Sequence, residues 1–354
     1  MHEELRAALA GLLDGLPPTQ AARAVDRLIE NYRGRTPTDA PVLRDRADVV
    51  AYAAYRMPAT FEAVHAALTA FAARLPDWSP ASHVDIGGGT GAATWAAATV
   101  WPERGTTVLD WAEPALELGR ELAAGRVTGT EWRRAVIGAG MTVPEDTDLV
   151  TVSYVLGELR EEARDAVVRA AADARAVVLI EPGTPDGYRR IRRAREQLVA
   201  AGLRVVAPCP HSGECPILQV EGAAPGKPGG DWCHFAARVS RSSLHRQVKG
   251  GSLAYEDEKF SYVAAVRPQA VAPEADVTEA DALETAAPLP APARIVRKPQ
   301  LRKGQVLLDL CAGDGLRRET VTKRRGTDYR AARDAEWGDA WGPEDARDEG
   351  AEDA

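Results

Sequence analysis

Between residues 80 and 207 one pattern recurs along the chain: a short apolar run, a turn rich in glycine or proline, then a stretch whose apolar residues return at helical spacing. The runs are His83 to Ile86, Thr106 to Asp110, Arg133 to Ile137, Asp148 to Leu156, Ala176 to Gly183 and Leu203 to Ala207. Runs this short predict strands, and their alternation with helices predicts a parallel, doubly wound α/β sheet covered on both faces. Ligands of such sheets sit at the carboxyl ends of the strands. Residues 1 to 79 lack the rhythm. They read as helices around Leu5 to Leu13, Ala21 to Tyr32 and Ala47 to Arg56, with Pro58 and Pro76 as breaks. This predicts a helical cap beside a sheet-bearing region at 80–267.

The first run ends in the chain's most specific motif, Asp85-Ile-Gly-Gly-Gly-Thr-Gly91, followed at once by an Ala-rich helical stretch. Glycines at 87, 89 and 91 let the backbone turn sharply and approach a ligand, and the helix that follows aims free amides at it. Gly87, Gly89 and Ala92 also satisfy the dinucleotide fingerprint, so a nicotinamide or flavin reading stays open on spacing alone. Asp85 argues against it, because a carboxylate there suits the cation of an amino-acid moiety and not a pyrophosphate. Asp110, about twenty residues past the last glycine, is placed to pair with ribose hydroxyls of either ligand.

The spacing Asp85-x-Gly87-x-Gly89-x-Gly91 resembles the first motif of class I S-adenosylmethionine-dependent methyltransferases, and the order of elements over 80–267 is similar to theirs. The resemblance implies a Rossmann-like fold in which Asp85, Gly87, Gly89, Gly91 and Asp110 hold S-adenosylmethionine. It also implies that the loop after the fourth strand, with Ser153, Tyr154 and Glu158, faces the transferred methyl. That loop carries neither Asn/Asp-Pro-Pro-Tyr nor a cysteine, and Gly138-Ala-Gly140 replaces the acid that often holds the adenine amine. For Glu158, a carboxylate at a helix start is the competing reading.

The net charge of −8 is unevenly spread. The segment Asp334 to Ala354 alone carries a net −8, and Pro268 to Ala293 adds five acids and no base, leaving the remaining chain mildly basic. The composition of 268–293 predicts a disordered acidic, Pro-rich linker, and 342–354 an acidic disordered tail. Arg189, Arg190, Arg192, Arg193 and Arg195 precede any acid in their helix, so they read either as a solvated face or as unpaired charge available to phosphates. The amino terminus is acidic without an apolar core, and no run is long enough to span a bilayer. These features predict a monomer in the cytoplasm or an equivalent reducing compartment, with no membrane partner.

Cys209, Cys215, Cys233 and Cys311 are the only cysteines, three of them in Pro/Gly-rich loops. In a reducing compartment four such thiols suggest a metal over disulfides. Prolines after Cys209 and Cys215 suit a 4Fe-4S cluster, while His211 and His234 keep zinc open. The Cys-rich segment is expected as an insertion at 208–257. Val306 to Gly315 imitates the glycine motif, but too little chain follows it for a second such sheet, so it reads as a strand carrying Cys311.

Cys209-Pro-His-x-Gly-x-Cys215-Pro, Trp232-Cys-His-Phe235, His245-Arg-x-x-Lys-Gly-Gly251 and Tyr255 to Tyr262 together resemble a methyltransferase-like family associated with the mitochondrial small ribosomal subunit, the Rsm twenty-two family. Thr320 to Arg324, Tyr329 to Arg333 and Trp337 to Trp341 extend the resemblance. It implies a 4Fe-4S cluster on the four cysteines and action on small-subunit rRNA, either as a methyltransferase or as a non-catalytic assembly factor. A basic extension at 294–341, including Arg294, Arg297, Lys298, Arg302, Lys303, Arg317, Arg318, Lys323, Arg324, Arg325, Arg330 and Arg333, is expected to form one RNA-binding patch beside the cofactor cleft.

Overall fold

The computed structural model describes residues 2–13, 25, 46–217, 230–242, 246, 253–268 and 293–342. The expected helix over 21–32, the linker over 268–293, the run at 245–251 and the tail after 342 lie almost wholly outside the described residues.

Five parallel strands form the body of the main sheet: β1 (Ser82–Ile86), β2 (Gly105–Asp110), β3 (Thr130–Arg134), β4 (Leu149–Ser153) and β5 (Ala176–Pro182), in the order β3-β2-β1-β4-β5. The order reverses between β1 and β4, which opens a crevice at their carboxyl ends. Beyond β5 the expected all-parallel sheet fails. A twelve-residue strand, β8 (Tyr255–Val266), runs antiparallel to β5, to β6 (Arg204–Ala207) and to β7 (Phe235–Ser240). Its first half, Tyr255-Glu-Asp-Glu-Lys, is polar and partly exposed, so no apolar run announces it. Residues 235–240 and 255–257, expected within the Cys-rich insertion, are therefore strands of the main sheet.

Side chains alternate across these strands. Val84, Ile86, Val150, Val152, Val177 and Leu179 pack with α5 (Glu161–Ala171) and α6 (Pro185–Ala200). On the other face Leu149, Val178 and Ile180 pack with α1 (His2–Leu13), α2 (Arg46–Ala72), α3 (Ala92–Val100) and α4 (Glu113–Ala123). The result is three layers with a strand order and orientation of the class I methyltransferase fold.

Pro58, expected as a break, lies inside α2. A proline removes one helical hydrogen bond and crowds the preceding turn. Helix α2 continues because Met57, Phe61, Val64, Leu68 and Phe71 all bury their side chains on the sheet side. Phe71, Trp78 and Trp101 meet edge to face at 5.3 to 5.9 Å, tying the amino-terminal helices to α3.

The extension builds a second, antiparallel sheet from β9 (Ala293–Ile295), β10 (Gln300–Arg302), β11 (Gln305–Ala312), β12 (Gly315–Thr322) and β13 (Ala340–Trp341), with α7 (Thr327–Asp334) packed on it. The segment that imitates a glycine turn is the β11–β12 hairpin. Ala312 faces Gly315 across a two-residue turn, and a strand, not a helix, follows.

Candidate functional site

The chain leaves β1 through Gly87, Gly89 and Gly91, with φ of 67°, 52° and 87°. At Gly87 a Cβ would lie 2.3 Å from Val155 Cγ2, and at Gly91 2.6 Å from the Trp132 ring, so conformation and space both demand glycine. Asp110, at the end of β2, accepts from Gly89 N–H at 2.9 Å and from Ala112 N–H at 2.8 Å. Burial holds its pKa above the usual carboxylate value. Next to it stand Trp111 and, beyond β3, Val136, which are 45% and 84% exposed. Both leave apolar surface open beside the carboxyl ends of β2 and β3.

Asp85 is not where the motif suggested. Its carboxylate is fully buried under the turn, accepting from Thr94 Oγ1 at 3.1 Å and Thr151 Oγ1 at 2.8 Å, and burial pushes its pKa up to about 6. It shapes the turn from beneath and does not face the crevice. His83, on the same face of β1, lies between Thr106 Oγ1 (3.3 Å) and Thr151 Oγ1 (2.8 Å), with its pKa lowered to about 3 by burial and by Arg104.

After β4, Ser153 is buried, Tyr154 takes φ of 61°, and Glu158 is exposed at the end of a short 3-10 turn. A non-glycine residue in the left-handed region persists only where its surroundings hold it. Here the Tyr154 hydroxyl donates to Glu258 Oε1 at 2.9 Å, and Arg56 from α2 binds both Glu258 oxygens at 2.6 and 3.0 Å. The Arg56 guanidinium also lies 4.8 Å from the Tyr154 ring centroid. Burial, then the Glu258 charge, raises the Tyr154 pKa well above its ordinary value.

All four thiols border one cavity between the two sheets. At about 40 Å³ it exceeds the roughly 10–15 Å³ one water occupies. Cys209 and Cys215 come from the loop after β6, Cys233 from the segment before β7, and Cys311 from β11. Burial raises the pKa of Cys209, Cys233 and Cys311, and their mutual proximity adds to this; Cys311 is pushed up to about 12. Tyr188 Oη lies 3.3 Å from Cys215 Sγ. Neither His211 nor His234 lines the cavity. Among the described residues no three His, Cys, Asp or Glu side chains are arranged to hold a metal ion, so the metal-binding character expected of this segment is not shown by the geometry.

Two guanidiniums also line the cavity. Arg195 and Arg294 are 5% and 7% exposed. Arg195 donates to His211 O and Gly213 O at 2.9 and 2.6 Å, and Arg294 to Pro208 O and Gly338 O at 3.1 and 2.7 Å. Arg195 Nε is buried without a partner. Buried cations are costly unless paired with negative charge, and neither has a carboxylate partner among the described residues.

Residues 46–342 match the sequence profile of a family described as mitochondrial small ribosomal subunit Rsm22. The chain belongs to the Rsm22 family. It is similar to the human ribosome assembly protein METTL17, mitochondrial, at 29% identity over 313 residues, covering 81% of this chain and 61% of the human protein. It is also similar to the mitochondrial Rsm22-cox11 tandem protein 2 of Schizosaccharomyces pombe, at 31% identity over 201 residues, covering 51% of this chain and 26% of that protein. The chain thus spans about three fifths of the human relative and a quarter of the yeast one. Among solved structures it is similar to precorrin-6y C5,15-methyltransferase of Geobacter metallireducens, at 18% identity and TM-score 0.36, covering 57% of this chain and 87% of that one. The fold assignment rests on strand order, not on that likeness.

The mitochondrial names of the Rsm22 family and these relatives overturn the cytoplasmic expectation. Composition and cysteine usage do not distinguish one reducing compartment from another. A second expectation also changes. The five arginines of α6 are not unpaired: Arg189 meets Asp186, Arg190 meets Glu181, Arg192 meets Glu196, Arg193 meets Glu161 and Asp165, and Arg195 serves the cavity. Asp186 and Glu196 belong to the same helix, whereas Glu181 comes from β5 and Glu161 and Asp165 from α5, which a scan along one helix does not reveal.

Nor do the bases of the Rsm22-family extension form one patch. Arg294 is buried, and Arg297, Arg317, Arg318, Arg325 and Arg333 each meet an acid. Lys298, Arg302, Lys303, Lys323, Arg324 and Arg330 have no acidic partner among the described residues.

Proposed function

We propose that this Rsm22-family chain binds S-adenosylmethionine at the glycine turn, holds a 4Fe-4S cluster on Cys209, Cys215, Cys233 and Cys311, and acts on small-subunit rRNA in ribosome assembly as a methyltransferase. Family membership over residues 46–342 carries the ribosomal reading. For the cofactor, Gly87, Gly89 and Gly91 supply close backbone approach, Asp110 supplies a strand-end carboxylate, and Trp111 and Val136 offer apolar surface beside it. Asp85 contributes by supporting the turn.

For the metal centre, the supporting observation is charge. Metal-bound thiolates are anions, and Arg195 and Arg294 are buried cations that otherwise lack counter-charge. A lone zinc needs sulfurs about 2.3 Å from one point. All four thiols line one cavity and neither His211 nor His234 does, which supports an all-thiolate centre. Such a cluster supplies structural cross-linking or one-electron chemistry.

A non-catalytic assembly factor is the second reading, and the Tyr154 lock favours it. A tyrosine whose proton is committed to Glu258, itself held by Arg56, is poorly placed to activate a substrate atom. Tritium transfer from S-adenosylmethionine to immature small subunits decides between the two. Tight subunit binding without transfer selects the assembly factor. Anaerobic purification with iron and sulfide counts tests the centre, and colourless protein carrying one zinc per chain rejects the cluster.

A further inference from the structure

Four of the bases that lack an acidic partner among the described residues gather at one end of the small sheet. Arg302 closes β10, paired with Gln305, and Lys303 opens the Lys303-Gly304 turn into β11, while Lys323 and Arg324 leave the end of β12 beside it. The two segments are joined directly, since Lys323 N–H donates to Gly304 O at 3.1 Å and Gln305 faces Thr322 in the strand register. All four side chains are exposed. The nearby acids Glu319 and Asp328 are both taken by Arg325, so they leave the four charges uncompensated. Leu301, 63% exposed, lies among them.

Cys311 sits at the other end of β11, six residues from Gln305, which is about 20 Å along an extended strand. The tip is thus separated from the thiol cavity by the length of a hydrogen-bonded hairpin. Its bases stand on a strand end and two adjoining turns whose backbones are held in fixed register.

We propose that this tip, Arg302, Lys303, Lys323 and Arg324, is a phosphate-backbone contact for RNA, distinct from the glycine-turn crevice. The inference rests on the rRNA reading above and assigns it a surface. RNA is favoured over an acidic protein because the charges are uninterrupted by acids and the tip carries no aromatic ring, the composition of a backbone contact without base readout. The surface therefore contributes affinity and orientation, with little sequence preference.

The test uses the full chain with Arg302→Gln, Lys303→Gln, Lys323→Gln and Arg324→Gln combined. Its control is Arg189→Gln, Arg193→Gln, Arg317→Gln and Arg333→Gln, which removes the same charge from exposed positions that have acidic partners. Binding to a small-subunit rRNA transcript is measured between about 50 and 200 mM salt. Loss of four phosphate contacts lowers affinity roughly 100-fold and reduces the slope of log affinity against log salt by about 3, while the control stays near wild type. If wild type and both variants bind alike, the tip is not the contact, although the rRNA reading stands. Equal losses in variant and control reduce the effect to net charge and also overturn the assignment. Unchanged rRNA affinity with lost capture of small-subunit proteins gives the tip to an acidic protein instead. A wild-type chain that binds no rRNA sinks the inference together with the reading beneath it.

Discussion

His83, Thr151 and Asp85 form a buried chain whose proton positions follow from its geometry. The Thr151 hydroxyl donates to Asp85, so the 2.8 Å contact with His83 requires the imidazole Nε2–H to donate to Thr151. His83, lowered from 6.5 to about 3, stabilises the folded chain fully above pH 6.5 and loses that contribution as the pH falls toward 3. Asp85, raised from 3.8 to about 6, acts in the opposite sense, favouring the folded state progressively as the pH falls from 6 to 3.8. The two oppose each other within that window. His83→Gln removes one side, so its melting temperature should gain on wild type between pH 6.5 and 4, as read by calorimetry across pH. Asp110→Asn should weaken S-adenosylmethionine binding at least about tenfold, measured by titration calorimetry, with a stability cost of only about 1 kcal/mol. Glycine spacing and the acid at 110 were legible in sequence because they obey local rules. The burial of Asp85 was not, because it depends on Thr94 and Thr151 from two other elements.

Helices and strands show the same division. Four of the five parallel strands announced themselves by apolar runs, whereas β3 lies at Thr130–Arg134, upstream of the expected run at 133–137 and mostly polar as an edge strand; β8 hid behind a polar first half, and Pro58 suggested an end that packing overrides. Pro58→Ala should raise the stability of the chain by about 1–3 kcal/mol, since it restores one hydrogen bond in a helix that is already formed. Equilibrium denaturation checks this, and a loss would mean that the proline sets a bend the core requires. In the basic helix α6 the partners of Arg190 and Arg193 lie on neighbouring elements, β5 and α5, and so were not visible along the helix. Charge pairing across elements is tertiary information that no window along one helix contains.

The molecule as a whole is joined at the thiol cavity. The main sheet region brings three thiols and Arg195, while the small sheet brings Cys311 and, opposite it in register, Arg294. Arg195→Gln combined with Arg294→Gln should lower metal content several-fold in protein purified anaerobically, and Arg→Lys at both positions should restore part of it. Full metal content in the glutamine variant would show that buried charge is not what the centre relies on. That four cysteines converge could be guessed from their rarity, but that two arginines attend them could not, since one lies among five similar residues and the other among a dozen.

Strand β8 touches both regions at once. Glu258 engages Tyr154 beside the glycine turn, and three residues on, Ser261 donates to the Cys233 carbonyl at 2.7 Å. One strand therefore contacts both pockets through residues three positions apart. Filling the sulfur-lined chamber should slow amide exchange around Tyr154, and ligand at the turn should do so around Cys233, as two doors hung on a single hinge-post move together.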